Sequence, residues 1–308
     1  TSTMILWLFA DPMFPQLYQR LCAADSDRSI GRMATLYPAV AWLAFLPPIL
    51  IGTLGHLEYP ELDRAGSDKI LPTLIMDIGG DWLGGLVLVA GLAALMSTMD
   101  SQLLATGSLV SRDLIPEGRD FPHVREIVIC SLAILGLFLS LLSNLSILDL
   151  GLLAFSMYAV MFPAVFASAH TNNIDGRSVI ASIVAGESVV LLAIFSPESF
   201  DGWWVQPVKA AMPTAVIPSL GAAIVSLAVS QYFFSSDSSL REWLEIDRKG
   251  ILPMAGFVVI FILAQDYWWW GENGTSALGL PIWIWWAAAL SILQTVIMAN
   301  WVRKETSR

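Results

Sequence analysis

"AALMSTMDSQLLATGSLVSRDL", residues 93–114, follows directly on "GGLVLVAGLAALM", a stretch of small and apolar residues. Within six positions it then places Ser97, Thr98, Asp100, Ser101 and Gln102. If the segment is a membrane helix, those polar groups lie where water is scarce. There they cost free energy unless a partner helix or a ligand takes them up. Whether the surroundings are a membrane therefore decides the reading.

Composition answers that. The chain has 308 residues, of which 56% are hydrophobic and only 14% charged, with 13 Trp. Soluble domains carry roughly 25% charged residues, so the chain reads as an all-α, polytopic membrane bundle. A span needs about 20 mostly apolar residues. Candidates run from about 33–55, 82–110, 127–147, 150–168, 178–196, 213–234, 251–267 and 280–302, and residues 1–14 look like the end of one more. The chain opens inside an apolar run, with no initiator Met and no basic n-region of a signal peptide. It is expected to be truncated at its N-terminus.

The connecting segments carry the charge, which makes orientation testable. Loops numbered alternately from "QRLCAADSDRSIGR" divide the 16 basic residues thirteen to three. One side holds Arg20, Arg28 and Arg32, then Arg112, Arg119 and Arg125, then Arg177, Arg241, Arg248, Lys249, Arg303, Lys304 and Arg308. The other side holds Arg64, Lys69 and Lys209. Cytoplasmic loops are the basic ones, so the C-terminus is expected in the cytoplasm and the protein in the plasma membrane. The outer segment "HLEYPELDRAGSDK" is expected to form a short extracellular structure. The net charge of −10, with only four lysines, suits a protein that faces high salt.

Several chemistries are excluded. There is no GxxxxGK[ST] phosphate loop. His56, His123 and His170 share no metal-ligand spacing, and Gly-Glu-Ser at 186–188 lacks the sheet of a nucleophile elbow. Cys22 and Cys130 are expected to be packing residues rather than a disulfide or a ligand pair. Neither an enzyme nor an organic cofactor is expected, and nothing points to nucleic acid.

The opening stretch can now be set on a helix. At about 100° per residue, Ala94, Ser97, Thr98, Ser101, Ala105 and Ser108 fall within one stripe about 100° wide. Asp100 lies on its shoulder, about 60° from Ser97 on the far side. Two readings stand. Small and hydroxyl residues are what membrane helices use to approach one another. Equally, neutral hydroxyls beside a free carbonyl supply the oxygens that replace a monovalent cation's hydration shell, weakly enough to reverse.

The residues also resemble a family. "LVAGLAALMSTMDSQLLATGSLVSRDL" is similar to the signature helix of the sodium:solute symporters, carriers of proline, pantothenate, sugars and iodide. "FPQLYQRLCAADSDRSIGR" resembles that family's cytoplasmic loop one helix earlier. The resemblance covers roughly residues 1–235. It implies a sodium-coupled symporter built on the inverted five-helix repeat of the neurotransmitter symporters, with Na+ as coupling ion and a small organic solute (amino acid, organic acid, vitamin or sugar) as cargo. It also implies sodium ligation by the Ala94 carbonyl and the hydroxyls of Ser97 and Thr98. Ser101, Asp100 and Glu187 are supporting or coupling candidates, Asp100 through a neighbour rather than as a ligand. Glu187, within "SIVAGESVVLLAIF", is a carboxyl inside a span; such groups are functional hypotheses, although a neutral, hydrogen-bonded Glu is the simpler reading.

Three segments follow from this: 1–235 as the later part of the symporter bundle, 236–250 as a charged cytoplasmic connector, and 251–308 as a two-helix extension. The extension loosely resembles small two-helix membrane proteins found beside such symporters. Its Trp cluster at 268–270 is expected to form an interfacial belt. The rival function is a non-transporting membrane sensor or anchor built on the same bundle.

Overall fold

The computed structural model describes residues 2–62, 66–115, 123–142, 147–170, 174–196, 212–234, 248–265, 276–277 and 280–306. Ten α-helices run through them: α1 (Ser2–Ala10), α2 (Pro15–Cys22), α3 (Asp27–Glu58), α4 (Ile70–Leu109), α5 (Val124–Leu142), α6 (Ile147–His170), α7 (Gly176–Phe195), α8 (Met212–Phe234), α9 (Arg248–Leu263) and α10 (Ile282–Thr306). A two-residue antiparallel ladder, β1 (Ser276–Ala277) with β2 (Leu280–Pro281), precedes α10. Among the described residues seven helices are long and apolar enough to cross a membrane. The protein is an all-α, multi-pass membrane protein.

Most expected spans appear within a few residues. Two differ. α4 starts twelve residues before the expected 82, and the extra turns join it through Gly80, whose φ of 65° breaks the helix. Only glycine takes up that conformation without strain, so a short helix and a span are fused end to end. The span expected at 251–267 is not among the seven, because its apolar helix covers only Pro253–Leu263. The Ala264 N–H still reaches the Ile260 carbonyl, but the Gln265 N–H bonds Ile262, a tightened last turn that stops the helix. The cluster at 268–270 and residues 236–247 of the connector lie outside the described residues.

Packing divides the chain into two compact units. The larger comprises Ser2–Cys22 with Gly55–Ser239. Its core joins α1, α6 and α8 through Leu6, Ala10, Leu152, Ala159, Val216 and Leu220. A second cluster, Val160, Val190 and Ala223, joins α6, α7 and α8. Membrane helices gain little by hiding apolar surface from lipid, so close packing and interhelical hydrogen bonds hold them together. Both operate here. Gly186 lets α7 press against its neighbours: a Cβ there would lie 2.4 Å from Val160 Cγ1 and 3.2 Å from the Ser219 carbonyl. Ser182 Oγ donates to the Ala223 carbonyl at 2.8 Å, and Ser226 Oγ returns a bond to the Ala181 carbonyl at 3.0 Å.

α7 is capped by Asp175, whose side chain accepts from the Arg177 N–H at 2.8 Å. That backbone bond, reinforced by the Arg177 guanidinium, holds the Asp175 carboxyl below its ordinary range. In the expected extracellular stretch, Gly66–Lys69 forms one 3-10 turn, and Asp68 Oδ2 accepts the Ile147 N–H at 2.9 Å. The Tyr59 hydroxyl donates to the Asp77 carboxylate, and this bond pushes the phenol up to about 12.

The smaller unit comprises Ala23–Leu54 with Leu240–Arg308, and so holds most of α3 with α9 and α10. Within it Gly31 meets Val302, and Gly256 meets Ile297. Trp286 Nε1 donates to the Leu263 carbonyl at 2.9 Å, tying the start of α10 to the end of α9. Cys22 and Cys130 are free and exposed, so they are not the packing residues expected from the sequence.

Candidate functional site

The opening stretch is helical throughout, at 93–109, and its final turn widens into a π-type turn at Val110–Leu114. Below Gly80 the helix carries no further backbone break, so Ala94, Ser97, Thr98 and Ser101 keep the single face expected for them. The structure brings Thr98 and Ala94 together: Thr98 Oγ1 lies 3.3 Å from the Ala94 carbonyl oxygen. Ser101 Oγ donates back to the Thr98 carbonyl at 2.8 Å.

Other hydroxyls on described helices close the same kind of bond more tightly: Thr35 to Gly31 at 2.8 Å, Thr53 to Ile49 at 2.8 Å, Thr106 to Gln102 at 2.9 Å and Ser108 to Leu104 at 2.7 Å. The Thr98 bond is the long one. Its hydroxyl and carbonyl are the least committed to each other, and both keep lone pairs available.

Exposure separates two parts of α4. Residues 91–100 are exposed, whereas Ala105 and Gly107 are buried. The buried part is held by α2, where Gln19 Nε2 donates to the Ala105 carbonyl, and by α5, whose Ile129 and Arg125 close on Gly107. The small-residue reading of the stripe thus holds around 105–107, where helices do meet. It does not account for Ala94, Ser97 and Thr98, which no described helix covers. Their donors are neutral oxygens, two hydroxyls and a carbonyl at i, i+3 and i+4, a hard-ligand set that suits an alkali cation rather than a transition metal. Among the described residues no cluster of His, Cys, Asp or Glu could hold a metal ion.

The carboxylates stand apart from this triad. Asp100 is exposed on the shoulder of the stripe, as its helical position requires. Glu187 lies on α7, partly buried, and its Oε2 is shielded without a hydrogen-bond partner among the described residues. α7 packs against α6 and α8, whereas α4 packs against α2 and α5. The structure therefore does not gather Glu187 with Ser97 and Thr98.

Two features escaped the sequence reading. The Gly80 break left a weak signal, a Gly-Gly pair ahead of an apolar run. The Ser182 and Ser226 staple left a better one, small residues recurring every three or four positions in "SIVAGES" and "SLGAAIVSLAVS".

Comparison with known proteins bears on the same residues. The model of the sodium:solute symporter family matches residues 1–171, which include both the loop at 14–32 and the stripe on α4. The chain is 30% identical over 113 residues to the sodium/pantothenate symporter of Haemophilus influenzae, covering 37% of this chain and 23% of that protein. It is 30% identical over 167 residues to the osmoregulated proline transporter OpuE of Bacillus subtilis, covering 50% and 34%. With the sodium/proline symporter of Salmonella typhimurium it shares 24% identity over 227 residues, 69% of this chain and 44% of that protein. The chain thus spans less than half the length of the relatives it matches. No solved structure gives a significant match.

Proposed function

Because this chain belongs to the sodium:solute symporter family, whose members are transporters and not enzymes, we propose that it forms part of a symporter that couples sodium entry to uptake of a small organic solute across the plasma membrane. The observation that carries the proposal is the exposed oxygen face of α4, with Thr98 Oγ1 and the Ala94 carbonyl 3.3 Å apart and Ser97 beside them. Ala94, Ser97 and Thr98 supply sodium ligands, and the remaining oxygens come from outside the stripe. Ser101 orients the helix turn through its bond to the Thr98 carbonyl. Asp100 and Glu187 act outside the ligand shell.

The bundle is read as part of the inverted-repeat architecture, with the C-terminus in the cytoplasm. Proline and pantothenate, the solutes named for the relatives, both carry a carboxylate, so a small carboxylate-bearing solute is the first class to test. Sodium serves here as coupling ion because a site of neutral oxygens has no proton to exchange near neutral pH.

The test is uptake of labelled proline and pantothenate into proteoliposomes bearing the transporter that contains this chain. The imposed gradient is of sodium, of protons or of potassium. Uptake driven by sodium alone is expected. Uptake that follows a proton gradient and ignores sodium refutes the coupling assigned to α4.

A further inference from the structure

We propose that the smaller unit carries an anionic phospholipid site between the start of α3 and the end of α10. A cavity of about 530 Å³ lies there, lined by Arg28, Arg32 and Arg303 with Thr35, Leu36, Ala299 and Val302. Beside it Gly31 lets α3 come close to Val302, one of the lining residues: a Cβ at Gly31 would sit 2.8 Å from Val302 Cγ1.

Three guanidinium groups converge there in a chain whose net charge is −10. Like charges repel, so their assembly without a counter-charge is unfavourable. Among the described residues none of the three pairs with a carboxylate, whereas Arg125 pairs with Glu126 and Arg177 with Asp175. The cavity therefore calls for an anion from outside. Planar guanidinium forks match phosphate oxygens two at a time, which favours a phosphate over chloride.

The apolar wall selects the kind of phosphate. Leu36, Ala299 and Val302 line the same cavity. Leu36, Val40 and Leu43 continue away from it as an exposed row along one face of α3. Both helices are apolar enough to cross the membrane over Asp27–Gly55 and Ile282–Lys304, so the arginines stand where headgroups lie and the row stands where acyl chains lie. Basic pockets between membrane helices at the cytoplasmic side suit such headgroups, and the expected thirteen-to-three division of basic residues has this end on that side. A soluble phosphate would use the arginines and leave the apolar row unused.

The experiment uses the 308-residue chain, purified in detergent and stripped of lipid. Titrations with phosphatidylglycerol, phosphatidylcholine and inorganic phosphate are read by native mass spectrometry of the bound species. Phosphatidylglycerol is expected to bind in preference to phosphatidylcholine. Each Arg→Gln change is expected to weaken it about fivefold, at about one unit charge's attraction to the headgroup layer, and the triple variant R28Q/R32Q/R303Q about 100-fold. Arg112→Gln, on the expected cytoplasmic side but in the larger unit, is expected to leave binding unchanged. If the triple variant does not fold, Arg32→Lys against Arg32→Gln carries the test, since lysine keeps the charge. Equal binding of the two phospholipids, or wild-type affinity in the Gln variants, overturns the proposal. Displacement of phosphatidylglycerol by millimolar inorganic phosphate overturns it in favour of a free anion.

Discussion

Thr98→Val isolates one oxygen of the α4 face. Valine keeps the branched shape and removes the hydroxyl. Thr98 is exposed, and the bond it loses to the Ala94 carbonyl is already 3.3 Å long, near the limit at which an O–H···O contact counts as a hydrogen bond. Folding stability should therefore change by no more than about 0.5 kcal/mol, the usual range for a surface substitution. Cation binding should change far more. A ligand oxygen facing a full charge contributes on the order of 1–3 kcal/mol, as a hydrogen bond to a charged group does. That corresponds to a rise of roughly 5- to 150-fold in half-saturating sodium. Thr98→Ser restores the oxygen and should be mild; Ser97→Ala should behave like Thr98→Val. Asp100→Asn, on the shoulder, should raise half-saturating sodium less than Thr98→Val does. The assay is solute uptake against sodium concentration at fixed solute, with the melting temperature of each variant measured alongside. If Thr98→Val and Ser97→Ala leave half-saturating sodium unchanged while Asp100→Asn abolishes the response, the site has been drawn around the wrong oxygens.

Three further outcomes follow from the packing and the charge pattern. Gly186→Ala places a methyl 2.4 Å from Val160 Cγ1, and overpacking of this kind costs about 1–3 kcal/mol; its melting temperature in detergent should drop, while Gly136→Ala, with nothing within 4 Å, should not lower it. An equal melting temperature for both would show that α6 and α7 do not close at Gly186. Tyr59 should titrate at about 12; because its pKa is raised, the bond to Asp77 persists below tyrosine's ordinary 10.0 and is lost as pH rises through the shifted value. Asp77→Asn should return the ultraviolet titration toward 10.0, and no movement would show that the two side chains do not meet. In a background without Cys22 and Cys130, a cysteine at position 64 should react with a membrane-impermeant reagent added to intact cells and one at 119 should not. The reverse pattern would invert the topology.

The sequence by itself determined the class, the approximate spans and the position of the hydroxyl stripe. Each is a one-dimensional property. A bilayer demands long apolar runs, whose ends are marked by charge, and the α-helix converts spacing into a face without help from the rest of the chain. That is why spacing alone sets Ala94, Ser97 and Thr98 on one face and Asp100 on its shoulder. Gly80 shows where this stops, since a left-handed residue inside α4 is a local event that hydropathy averages away.

Only the tertiary structure decided which parts of a face are covered. Nothing in "STMDSQLLATG" distinguishes Thr98, left open, from Ala105, buried under α2 and α5. Cys22 and Cys130 are exposed for the same reason: a free cysteine packs as a small hydrophobe where a neighbouring helix meets it, and which faces are met is decided by the bundle. The cavity of Arg28, Arg32 and Arg303 joins residues some 270 positions apart in sequence. Charge counting leads one to expect all three on one side of the membrane, but their convergence depends on α10 packing beside the start of α3 through Gly31 and Val302. Helix-to-helix contacts of that kind are made by small residues that any pair of membrane helices could offer, and the choice among partners is a property of the folded bundle.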